Sequence, residues 1–129
     1  MKSNVIRLSG GIWNLGLAAA MIYPPLLGIS LKPVWGCLIA AFLIYTALTL
    51  ILGGSDVPRY APVILYEGLL RFAAAALLVP AGLMFGYGPL VAAVGAIDAI
   101  WGLTYFVIVP RQTGKPIIQL LLGDAPRPG

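Results

Sequence analysis

The sequence predicts an all-α integral membrane protein, a four-transmembrane-helix bundle with both termini in the cytoplasm. Three observations predict it. Of 129 residues, 60% are hydrophobic and 9% charged, whereas a soluble domain carries about 25% charged residues because it must face water. Mean hydropathy is +0.99, and four segments each hold the roughly 20 mostly apolar residues that cross a bilayer. Lysine and arginine gather on alternate loops, which is how helices are oriented in a membrane.

The chain is expected to form one domain over residues 1–129. Its first helix is predicted over residues 8–28, carrying Gly10, Gly11 and Asn14, with Pro24 and Pro25 breaking it near its far end. Lys2, Arg7 and the run Ala18-Ala19-Ala20 resemble a signal peptide, but the segment is expected to stay as an uncleaved helix. The second helix is predicted over 34–52, starting after Lys32 and Pro33 and stopping at Gly53 and Gly54. The third covers 58–85, with Ser55 or Asp56 as N-cap, Pro58 in its first turn and a kink at Pro80. A tight turn at Gly86-Tyr87-Gly88 leads into the fourth, over 89–109, which is expected to end at Pro110. The cytoplasmic tail, 110–129, holds one apolar patch at 117–122, too short to span and suited to lie on the membrane or dock onto a partner.

Lys2, Arg7, Arg59, Arg111, Lys115 and Arg127 fall on one side of this topology, and Lys32 falls alone on the other. The positive-inside rule then places both termini in the cytoplasm of a bacterial inner membrane. This asymmetry accounts for the net charge of +4, and no nucleic-acid motif accompanies it. Tyr23, Trp35, Tyr60 and Tyr87 sit near predicted helix ends, as an aromatic belt requires. There is no histidine and one cysteine, Cys37. That excludes histidine-ligated haem, histidine-based triads and an intramolecular disulfide. No metal and no cofactor are expected.

Three ionisable residues fall inside predicted helices: Glu67, Arg71 and Asp98. Each costs about 2.5–3.5 kcal/mol at a helix centre unless it is paired or wetted. Glu67 and Arg71 are spaced i,i+4 and share a helical face, so they are expected to pair. Asp98 is the other acid at that depth. Arg71 lies 16 residues before Tyr87 and Asp98 lies 11 after it, an axial offset of roughly 7–8 Å. Either the arginine's length spans that offset or a water bridges it. Asn14, Tyr66, Trp101 and Tyr105 lie in the same half of the bundle. Together these seven side chains are expected to form either a structural network that fixes helix register or a polar pocket open to the cytoplasmic leaflet. Asn14 is expected to hydrogen-bond between helices, the threonines to bond back to their own helix, and Trp101 and Tyr105 to pack.

The stretch Arg59-Tyr60 through Tyr66-Glu67-Gly68-Leu69-Leu70-Arg71 resembles that of DoxX-like and BphX-like proteins, small bacterial four-helix membrane families. The resemblance covers one helix and implies the four-helix architecture. Small multidrug transporters share the length and helix count, but where they carry an essential glutamate in the first helix this chain has Asn14. A nucleophile, phosphate loop or metal set beside Glu67 and Asp98 is missing from the sequence, so catalysis is not expected. The expected function is a non-catalytic accessory, assembly or scaffold subunit of a larger membrane complex. Its partners would be the lipid bilayer and either other membrane subunits or further copies of itself. The alternative is a binder or transporter of a small amphiphile, quinone-like or lipid-like.

Overall fold

The computed structural model describes residues 3–23, 25 and 32–124. Among them the chain is helical throughout, with four helices long and apolar enough to cross a membrane: α1 (Asn4–Ile22), α2 (Pro33–Ser55), α3 (Val57–Met84) and α4 (Pro89–Thr113). A short fifth helix, α5 (Ile117–Leu121), follows.

Helix α1 begins four residues before the predicted start. Ser3 has extended backbone and its hydroxyl accepts the Ile6 N–H at 3.3 Å, as an N-cap does. Ile6 is fully buried. The helix ends at Ile22 because Tyr23 precedes Pro24 and takes φ −129°, ψ 78°, the extended region to which proline restricts its predecessor. The rest of the expected span to 28, apart from Pro25, lies outside the described residues, as does the tail beyond 124. Helix α2 starts with Pro33 in its first turn after the extended Lys32.

Gly53 and Gly54 were expected to stop α2, yet the helix runs through them to Ser55. Their role is contact. A Cβ on Gly54 would lie 2.5 Å from Arg7 Cγ and 2.9 Å from the Ser3 carbonyl, and the Ser3 N–H donates to the Gly54 carbonyl at 2.7 Å. One residue, Asp56, separates α2 from α3 and occupies the cap position of the latter. Helix α3 continues through Pro62 and Pro80. The turn to α4 is made by Gly86 (φ 83°) and Gly88 (φ 100°), both left-handed. Helix α4 does not end at Pro110. That residue lacks only its own N–H, and the helix closes a turn later. Gly114 adopts φ 68° and donates to the Pro110 carbonyl at 2.9 Å, and the Thr113 hydroxyl donates to the Val109 carbonyl at 2.8 Å.

The four helices form two hairpins. α1 lies along α2, and α3 lies along α4, each with close backbone approach. In the second hairpin Gly82 meets the backbone of Ala92 so closely that any Cβ would collide with it. Small residues of this kind hold membrane helices together, because lipid tails are as apolar as the helices and only intimate packing favours association. Between the hairpins the contact is made at one end. There Ile6 and Leu50 of the first pack with Val57, Ile64, Leu65 and Val109 of the second. Helix α5 joins that cluster through the fully buried Leu120, and the Tyr66 hydroxyl donates to the Leu121 carbonyl. The tail patch therefore docks on its own bundle, with Ile118 and Leu122 facing outward at 71% and 82% exposure. A second cluster, Ala18, Met21 and Ala40, belongs to the first hairpin alone.

Candidate functional site

The seam between the hairpins is bridged by polar side chains, and the local shape of α1 delivers them. Residues Ser9–Asn14 form a π-helical turn, in which the Leu15 N–H reaches the Gly10 carbonyl five residues back. A wider turn sets residues i+4 and i+5 on either side of residue i. Ser9, Trp13 and Asn14 therefore all face the seam, which an α-helix would not allow. Gly10 lets α2 approach this turn closely, since a Cβ there would lie 2.8 Å from the Ala47 carbonyl of α2.

Arg71 is the hub. Its Nη1 donates to Asp98 Oδ1 at 2.8 Å, its Nη2 to Asn14 Oδ1 at 2.7 Å, and its Nε to the Tyr105 hydroxyl at 3.2 Å. The guanidinium carbon also stands 5.6 Å from the centre of the Tyr105 ring. The arginine spans the predicted axial offset directly. Asp98 Oδ1 takes a second bond from Trp13 Nε1 at 2.9 Å. Asn14 passes its amide hydrogen to Thr46 Oγ1 at 2.8 Å, and Thr46 donates to the Leu43 carbonyl at 2.9 Å. Tyr105 bonds to Ser9, whose hydroxyl donates to the Ile6 carbonyl at 2.7 Å. A hydroxyl has one hydrogen to give, so these bonds fix its direction everywhere. Hydrogens run outward from the arginine, through Tyr105 and Ser9 to one carbonyl and through Asn14 and Thr46 to another. Arg71 and Asp98 are 5% and 6% exposed, so a formally neutral pair sits inside a set of oriented dipoles.

The structure thus brings together four of the seven residues named from sequence: Asn14, Arg71, Asp98 and Tyr105. The other three make no hydrogen bond to the hub among the described residues. Glu67, half-buried one turn before Arg71, makes no hydrogen bond or ion pair among the described residues; the guanidinium donates to the more deeply buried Asp98 instead. Tyr66 is exposed and holds α5. Trp101 is half-buried, and its Nε1 is enclosed without a partner among the described residues. Three members were missed from sequence: Ser9, Trp13 and Thr46. The indole carried a signal, because a buried tryptophan N–H needs an acceptor, and Asp98 was the free acceptor at that depth. Thr46 does bond back to its own helix as expected, but it also accepts from Asn14.

The half of the seam nearer the start of α1 is filled by these side chains. Open space lies in the other half, where the hairpins have no common core: a groove of about 350 Å³ between residues 12–20 of α1 and 90–97 of α4, with an apolar lining. A shallower hollow of about 330 Å³ runs along the outer face of α4 beside Leu103 and Val107. Among the described residues no cluster of three acidic or thiol side chains could hold a metal.

The resemblance of the third helix to DoxX-like and BphX-like proteins has no counterpart across the whole chain, which matches no protein-family model, no curated protein and no solved structure.

Proposed function

We propose that this chain is a non-catalytic accessory, assembly or scaffold subunit of a larger membrane complex, seated in a bacterial inner membrane with both termini in the cytoplasm. The observation that carries the proposal is the closure of the Arg71 network. Its cation, its acid and its hydroxyls bond to one another across the four helices, so the polar groups act on the bundle's own register and rotation. What remains outward is a broad apolar surface, including Trp35, Phe42, Tyr45 and Leu48 of α2. The orientation is supported by the charges. Arg7, Arg59, Arg111 and Lys115 belong to the end where α1 starts, α3 starts and α4 finishes, and Lys32 begins α2 at the other end. Native mass spectrometry of protein gently extracted from its own membranes tests this. A fixed larger assembly is expected; a bare monomer would overturn it.

A second function, binding a small amphiphile, is favoured by the groove between α1 and α4. Retention of a small molecule by the isolated chain in the same experiment would select it.

A further inference from the structure

We propose that the tail helix α5 and the arginines beside it form a docking face for anionic phospholipid headgroups, with Ile118 and Leu122 dipping into the bilayer and Arg59 and Arg111 meeting lipid phosphates. The apolar part of this face comes from the spacing of the tail patch. Leu120 is fully buried in the bundle, whereas Ile118 and Leu122, spaced i,i+4, are left outward. Leu122, at 82%, is the most exposed large apolar side chain among the described residues.

Position sets what these side chains meet. The left-handed Gly114 turns the chain back onto the bundle. Leu120 then enters the cluster that holds Val57, Ala61 and Leu65 of α3, and the Tyr66 hydroxyl donates to the Leu121 carbonyl. Helix α3 has 28 residues, about 42 Å, and so exceeds the ~30 Å hydrocarbon core. Its first turns therefore stand among headgroups. Helix α5 lies against the stretch from Val57 to Tyr66, where α3 passes from headgroups into hydrocarbon. Lys115 fixes it there. Its Nζ pairs with Asp124 Oδ1 at 3.1 Å and donates to the Asp124 carbonyl at 3.2 Å, closing the chain across α5.

Charge names the partner. Arg59 is on the side of α3 that carries Tyr66, two turns earlier, and its guanidinium carbon stands 5.4 Å from the centre of the Tyr60 ring. Arg111 is in the last turn of α4, three residues before Gly114. Both are exposed, and neither makes an ion pair among the described residues. The acids at this end of the bundle are Asp56 and Asp124, and Asp124 already answers Lys115. Surplus cations therefore flank two outward apolar side chains. Anionic headgroups above acyl chains supply the matching charge and the matching cover together; a soluble acidic partner supplies only the charge.

The test uses the full chain, released for native mass spectrometry from nanodiscs made of equal amounts of phosphatidylcholine and phosphatidylglycerol. Phosphatidylglycerol is expected to be retained in excess. Arg59→Gln and Arg111→Gln should each reduce that excess, by up to roughly fivefold, the weight of one basic residue at an anionic surface, with unchanged melting. Equal retention of the two lipids, or an excess that survives both substitutions, would overturn the headgroup assignment. In a Cys37→Ala background, an environment-sensitive dye on Leu122→Cys is expected to shift to the blue in the same nanodiscs. Emission as in water would overturn the insertion of α5. A dye shielded in the cell's own membranes but not in pure lipid would put a protein on this face and overturn the lipid as its occupant.

Discussion

At the scale of single residues, the contrast between Arg71 and Glu67 is instructive. Helical spacing pairs them, yet the guanidinium serves Asp98, Asn14 and Tyr105. An i,i+4 pair on a half-exposed face is worth about 0.2–0.5 kcal/mol, whereas an enclosed carboxylate without a counter-charge costs several. Arg71→Leu should therefore destabilise the protein by about 3–5 kcal/mol, and Asn14→Ala by about 1–3 kcal/mol. Glu67→Gln should change stability by no more than about 0.5 kcal/mol. Thermal unfolding in detergent checks the order, and equal losses for Arg71→Leu and Asn14→Ala would contradict the hub. The sequence made Arg71 and Asp98 legible because ionised groups in apolar runs are rare and costly. Ser9 and Thr46 were not legible as members of the network, since a hydroxyl in a membrane helix ordinarily satisfies itself on its own backbone.

At the scale of elements, composition revealed the four spans but not their punctuation. Gly53, Gly54 and Pro110 read as stops by propensity. Packing decides otherwise: the glycines are where α1 and α3 press on α2, and a left-handed Gly114 ends α4 one turn past its proline. The π turn in α1 was invisible because nothing in the run Ser9-Gly10-Gly11 distinguishes a five-residue turn from an ordinary helix. Glycines in these helices consequently divide into two kinds. Gly82→Ala should cost about 1–3 kcal/mol, because the added methyl meets backbone in the facing helix. Gly16→Ala should be neutral or stabilising by up to about 1 kcal/mol, because a Cβ there would meet nothing within 4 Å and only helix propensity changes. Melting both variants in one detergent checks the difference, and a loss at Gly16 matching that at Gly82 would contradict an open groove floor.

At the scale of the whole molecule, the bundle is packed at one end and parted at the other. The start of α1 is tied to the end of α2, and Leu120 of the tail helix enters the cluster around Ile6, so both described ends of the chain share one face. The orientation of that face is testable with an impermeant maleimide on intact cells, in a Cys37→Ala background. Lys32→Cys should be labelled from outside, and Asn4→Cys and Asp124→Cys should be labelled only after the cells are opened. External labelling at position 4 would invert the topology. The helix count and the side carrying most of the positive charge could be read from composition. The grouping into two hairpins could not, since it depends on which small residues find one another.

The division of polar bonds between those hairpins bears on how the chain enters its membrane. Asn14 finds Thr46 within the first pair of helices, and Arg71 finds Asp98 and Tyr105 within the second. Between the hairpins, Ser9, Trp13 and Asn14 reach across. A nascent chain leaving the ribosome can thus hand over its first helical pair with Asn14 already bonded to Thr46, before the second pair has been synthesised. The cross-links then close last, as two preassembled units meet in lipid. Biogenesis of the second pair would not have to wait for the first, and the two halves, produced as separate polypeptides divided at Asp56, are expected to find each other in the same membrane and co-purify.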